Sequence, residues 1–119
     1  MQYEKTHATT RVLTAAVAEA RFVSYAGAHA SAAAGGTADA QGVSEMEGAI
    51  GDAIPVVTGY SAIVEASDAI AAGAFVKPAA DGSGRAVTGS AADHCGRALT
   101  AAGAAGALFE CEILTHVHP

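Results

Sequence analysis

The chain has no tryptophan, and phenylalanine and tyrosine together bring its aromatic content to only 5% of 119 residues. A core built without many rings must draw its burial from a thin set of Val, Ile and Leu, with Phe22, Phe75, Phe109, Tyr25 and Tyr60 as the large anchors. Alanine makes up roughly a quarter of the residues, well above ordinary usage, and contributes little burial per side chain. The hydrophobic fraction of 51% therefore overstates the core. A domain of this size with so light an interior is marginal alone, and association is expected to supply part of its stability.

Cations are also scarce. Six Lys and Arg stand against twelve Asp and Glu, a formal charge of −6, which argues against a nucleic-acid partner because phosphate binding needs clustered cations that release counterions. There is no apolar run of the length a membrane span requires, and no charged start followed by an apolar stretch of the export type, so a soluble protein made in a cytosol is expected. Two cysteines, Cys95 and Cys111, are too few for a disulfide framework and are read as reduced, partly buried thiols.

What the sequence has instead is glycine placed at intervals. Ala49 to Val57, Ala69 to Val76 and Ala104 to Phe109 each run from small or apolar residues through a glycine (Gly51, Gly73, Gly106) into an extended apolar segment. Each glycine is suited to a positive φ that turns the chain into a strand. Pro55 and Pro78 forbid long helices and remove ladder donors, so the strands near them are expected to be short, bulged or at an edge. RFVSY (21–25) and YSAIVE (60–65) have strand composition, with Thr58-Gly59 as a tight connection before the latter. Asp81-Gly82-Ser83-Gly84 suits a hairpin tip between FVKP and RAVT. In Leu108 to Leu114, Phe109, Cys111 and Ile113 fall on one face and Glu110 and Glu112 on the other, the pattern of a half-buried strand.

The segment RVLTAAVAEA (11–20) fits a short helix or a strand equally. AGAHASAAAGGTADA, with Gly35-Gly36, reads as a long surface loop with weak strand character. Many short strands punctuated by glycine favour a small antiparallel β-barrel or sandwich, with at most two short helical turns, near Ser67 to Ala71 and Ala91 to His94. Residues 1–10 read as an extended N-terminal arm, either frayed or adding a strand to a partner, ahead of a single β-rich domain over 11–119.

Candidate chemistry is sparse. GYSAI lacks the second glycine of a nucleophile elbow, so Ser61 is not read as a nucleophile. The acidic residues are scattered over the chain and read as a solvated face. The glycine clusters match neither GxxxxGK[ST] nor GxGxxG. His94-Cys95 with His116 and His118 offers borderline metal donors, since a His-x-His step on a strand projects both rings from one face, but a solvated tail is the ordinary explanation for the last two. No cofactor, metal or catalytic residue is expected.

The stretches RFVSY (21–25), QGVSE (41–45), EGAIGDAIPVVTGYSAIVEASDAIAAGAFVKPAADGSGRAV (47–87) and HCGRALTAAGAAGALFECEIL (94–114) together give the chain a resemblance to the small capsid cement, or head decoration, proteins of tailed bacteriophages. The resemblance implies a β-rich protein, without catalytic residues, on the outer surface of an icosahedral head. Its partners would be the major capsid protein and copies of itself, as a trimer or a dimer. Tyr3, Glu4, Lys5 and Thr6 of the arm are then the candidate shell contacts. The alternative is a small metal- or thiol-dependent binding module using Cys95, Cys111 and His94; a small-molecule barrel is disfavoured by the scarcity of aromatics.

Overall fold

Glycine placement, more than alanine propensity, decides the architecture. The computed structural model describes residues 2–31 and 36–119, and within them the chain is all-β apart from one 3-10 turn, Gly36–Ala38. The strands are β1 (Lys5–Val12), β2 (Phe22–Ser24), β3 (Ala40–Ser44), β4 (Ala53–Glu65), β5 (Phe75–Pro78), β6 (Ala86–Thr88), β7 (His94–Ala98) and β8 (Leu108–Val117). They form one antiparallel sheet in the order β2-β3-β4-β8-β7-β5-β6, with β1 added to β4. The sheet curls into a half-barrel, and a parallel bridge between Ala66 and Ala86 draws the end of β4 towards β6.

The loose echo in the sequence becomes a local structure repeated three times. In Ala49–Asp52, Ala71–Ala74 and Ala104–Ala107 the fourth N–H donates to the first carbonyl at 3.0, 3.2 and 3.2 Å. The third residue is Gly51, Gly73 or Gly106, at φ of 89°, 87° and 85°. A type II turn demands this region at its third position, and only glycine enters it without a Cβ penalty. Each glycine N–H then donates to a residue at the end of an earlier or later strand: Gly51 to Leu13, Gly73 to Ala98, Gly106 to Ala66. Those residues return their own N–H to Asp52, Ala74 and Ala107, each at 2.8 Å. Four positions beyond each of them a second apolar residue is buried, Val17, Ala102 and Ile70 respectively. The three docked turns open the pairs β1/β4, β7/β5 and β4/β8.

Strand β4 organises the rest. It runs 13 residues without interruption through Thr58-Gly59, where a tight connection was expected. Gly59 serves contact rather than turning: a Cβ there would lie 2.8 Å from Thr6 Oγ1. The β1/β4 register shifts on both sides of His7, opposite Gly59, and the buried face of β4 changes across this point. Ile54 and Val56 pack with Leu13, Val17 and Val23 in a small core. Ala62 and Val64 pack with Phe22, Phe109, Val76 and Val57 in the main one. Pro55 is tolerated because a strand residue points its N and C=O to the same side, and the Pro55 carbonyl accepts Glu45 N–H at 3.3 Å, just past the end of β3. The missing donor therefore faces away from β1, which pairs undisturbed.

Several expectations are met and others corrected. Phe22 and Phe109 anchor the main core, and Asp81 to Gly84 closes the β5/β6 hairpin. Phe109 and Cys111 share the buried face of β8, as the alternation required. Tyr25 and Tyr60, expected as anchors, stand exposed at 47% and 44%. The segments near Ser67 to Ala71 and Ala91 to His94 are not helical; the first is held by an Ile70–Ala102 bridge and the second is closed by a Ser90–Asp93 bridge. Residues 11–20 form the end of β1 and an irregular segment that buries Leu13 and Val17. Residues 5–10, read as part of an arm, run with Arg11 and Val12 as β1 along the chain's own β4. The alanine-rich loop lies partly outside the described residues, at 32–35.

Candidate functional site

The N-terminal segment is held by a chain of hydrogen bonds that starts in the sheet interior. Ser61 on β4 is fully buried; its hydroxyl donates to Glu110 Oε2 at 2.8 Å and accepts Glu4 N–H at 2.8 Å. The Glu4 carbonyl in turn accepts the N–H groups of Tyr60 and Ser61. Lys5 Nζ reaches both oxygens of Glu45 at 3.0 Å, and Tyr3 O–H donates to the same carboxylate at 3.2 Å. Thr6 lies against Gly59. The four residues singled out in the arm are thus brought together on β4 and at the end of β3. The Glu4 backbone is engaged through both its N–H and its carbonyl, while Tyr3 remains 41% exposed.

Tyr3 forms one wall of a cleft of about 460 Å³ whose other walls include Glu19, Glu45, Ile63, Glu65 and Leu108. Two of its three carboxylates are answered by cations: Glu45 by Lys5, and Glu65 by Arg21 at 3.4 Å and Arg85 at 3.2 Å. Ala20, also in the wall, is the one non-glycine residue at positive φ among the described residues, at 60°. Its N–H donates to Ser44 and its carbonyl accepts Glu65 N–H, so two flanking contacts hold a backbone conformation that costs roughly 1–2 kcal/mol for an L-residue. The Ser44 hydroxyl donates to the Ala18 carbonyl at 2.7 Å. The cleft thus presents a tyrosine, a leucine and an acidic rim.

The metal or thiol module does not assemble. Cys95 and Cys111 are both buried; burial pushes the Cys111 thiol up to about 12, and burial together with Cys111 pushes Cys95 well above the ordinary range. Neither offers a thiolate at neutral pH. His94 stacks on Phe75 with ring centroids 4.5 Å apart and donates Nδ1–H to the Ser90 carbonyl at 3.0 Å. Arg97 lies over the same phenylalanine ring at 4.7 Å.

A different convergence appears at the end of β8. His116 and His118 stack with centroids 4.2 Å apart, and Asp39, between the 3-10 turn and β3, joins them so that one ligand atom from each lies within 4.8 Å of the others. His118 Nε2 is 2.5 Å from Asp39 Oδ1, and His116 Nδ1 is 3.9 Å from the same oxygen. Burial, followed by the neighbouring His118, holds the His116 imidazole below its ordinary range, against the pull of Asp39 and Asp93. The His-x-His step was visible in the sequence. Asp39 was not, because no local pattern places residues 79 apart on one side of a sheet.

No family model and no curated protein matches the sequence. Among solved structures, the chain is similar to the crystal structure of the head fiber gp8.5 N base in bacteriophage phi29, with a TM-score of 0.65 at 17% identity. The likeness covers 95% of this chain and 98% of that one. At this identity it is a likeness of fold.

Proposed function

We propose that this protein is a structural component of a tailed-bacteriophage virion, bound to the outer surface of the head, where it acts as a decoration or cement protein. The observation that carries the reading is the end-to-end likeness of fold to the base of a phage head fiber. The light core and the acidic composition suit a protein that works by adhering. Its partners would be the major capsid protein and further copies of itself, as a trimer or a dimer. Anything that binds only the assembled shell stabilises that state by linkage, so many weakly held copies sum to a large resistance to opening.

The shell contacts in this reading are Tyr3, Glu4, Lys5 and Thr6, with residues 11–119 as the body that carries them. Support comes from the exposure of Tyr3 and from the outer side of β1, which among the described residues pairs with β4 alone. An unpaired edge is a template for a strand from a partner. A second reading, favoured by the same likeness, makes the chain the base of a projecting fibre.

Cryo-electron microscopy of intact particles carrying this protein tests both. Density on the shell surface at capsomer junctions supports the cement reading, and a projection rising from that density supports the fibre base. Particles whose shell lacks the protein would overturn both.

A further inference from the structure

We propose that Asp39, His116 and His118 form a binding site for one divalent transition-metal ion of the zinc type, which clips the end of β8 to the start of β3. This inference is independent of the phage reading. Alternation continued one residue past the end of β8 brings the rings of His116 and His118 together, and Asp39, which follows the 3-10 turn Gly36–Ala38, joins them. Two imidazole nitrogens and one carboxylate oxygen are the donors that borderline ions such as Zn²⁺, Co²⁺ and Ni²⁺ prefer over Mg²⁺ or Ca²⁺. With ligand bonds of about 2.0–2.2 Å, tetrahedral coordination sets neighbouring donor atoms about 3.4 Å apart. The observed separations of 2.5 and 3.9 Å straddle that value, so side-chain shifts of about one ångström complete three of four positions and leave the fourth to solvent.

Protonation favours the same assignment. Ala40 N–H donates to His116 Nδ1 at 2.8 Å, which fixes the neutral tautomer with its lone pair on Nδ1, the nitrogen nearer Asp39. An incoming ion takes that lone pair and releases the Ala40 N–H. His118, whose Nε2–H is now donated to Asp39, exchanges through solvent to the tautomer protonated on Nδ1 and presents the Nε2 lone pair in its place.

The His116 side chain is only 2% exposed and its Nε2 has no hydrogen-bond partner among the described residues, so the hydrogen bonding of this ring is concentrated on Nδ1, the nitrogen that faces the carboxylate. The clip would join segments 79 residues apart across β3 and β8, which are not neighbours in the sheet.

The test is titration of the full chain with ZnCl₂ by calorimetry and with CoCl₂ by visible absorption. The expected result is one ion per chain, tetrahedral Co²⁺ bands, and a thermal midpoint raised by about 5 °C or more at saturating Zn²⁺, with no shift from Mg²⁺. His118→Ala and Asp39→Asn should each weaken Zn²⁺ binding by about tenfold or more, while His94→Ala leaves it unchanged. The proposal is overturned if the wild-type chain shows no saturable Zn²⁺ binding, or if both His118→Ala and Asp39→Asn bind as tightly as wild type. Both substituted side chains are about one-fifth exposed, which favours folding of the variants.

Discussion

Ser61 and Glu110 share a 2.8 Å hydrogen bond across β4 and β8, and the same serine oxygen accepts the N–H of Glu4 from the opposite side. One buried hydroxyl therefore couples the N-terminal segment to the centre of the sheet.

Ser61→Ala should leave the Glu4 N–H and a Glu110 oxygen without their partner, and cost about 1–3 kcal/mol. Urea unfolding measures the loss, and amide exchange locates it: exchange should accelerate at Glu4 before it does in β8. Unchanged exchange at Glu4 would show that the ion pair of Lys5 with Glu45 holds the segment instead.

The three docked turns make a quantitative comparison possible. A Cβ at Gly51, Gly73 or Gly106 meets nothing within 4 Å, so alanine there is penalised by the positive φ alone. Each substitution should cost about 1–2 kcal/mol, and the three values should agree closely. Gly42→Ala is the contrast, since its Cβ would lie 2.2 Å from the Val57 carbonyl oxygen and the β3/β4 pairing must give way. Denaturant midpoints for the four variants check this ordering. A spread among the first three as wide as their gap from the fourth would refute the equivalence.

Thiol reactivity reports on burial. With both cysteines buried and their ionisation pushed up, a thiol reagent such as Ellman's should label the native chain at pH 8 only through unfolding. Labelling rates should therefore follow denaturant concentration and involve Cys95 and Cys111 together. Rapid labelling of either in buffer would contradict the packing of β7 on β8.

His29 introduces a pH dependence. Its Nε2 accepts Ala18 N–H at 3.0 Å and its Nδ1–H donates to the Gly82 carbonyl at 3.2 Å, so the neutral ring satisfies both sides. Burial lowers its ionisation, Gly82 opposes and Arg21 assists. Because the folded value lies below the unfolded one, the contribution is full above about pH 6.5 and is lost as pH falls through the folded value. Urea midpoints from pH 7.5 to 5 should fall for the wild-type chain and fall less steeply for His29→Ala. Parallel curves would remove His29 as the cause.

The parts of the fold legible in the sequence were those governed by local geometry. Gly51, Gly73 and Gly106 announced turns because only glycine takes a positive φ freely, and β8 announced its faces because alternation has a period of two. The uninterrupted course of β4 was hidden. Thr58-Gly59 has the chemistry of a turn, and only its neighbour Thr6, far away in sequence, shows that the glycine is there to admit a side chain. Tyr25 and Tyr60 misled because aromatic size predicts burial only when the core has room for it. Of the candidate sites, His116 and His118 were visible as a pair, whereas their convergence with Asp39 depends on where β3 starts relative to the end of β8, a tertiary relation. The N-terminal residues carry no apolar pattern that would announce β1, and their docking on β4 rests on Ser61, whose hydroxyl gave no sign of that use.

The 13 residues of β4 also set how the molecule carries load. One end of the strand bears β1 and gives Ile54 and Val56 to the small core, and the other bears β8 and gives Ala62 and Val64 to the main core, so covalent backbone runs unbroken between them. A tension applied at the N-terminal edge crosses the β1/β4 hydrogen bonds, runs along the covalent backbone of β4 and enters β8 through the β4/β8 hydrogen bonds. Force on either half is shared along one tie, and the two cores are strained together rather than peeled apart in turn.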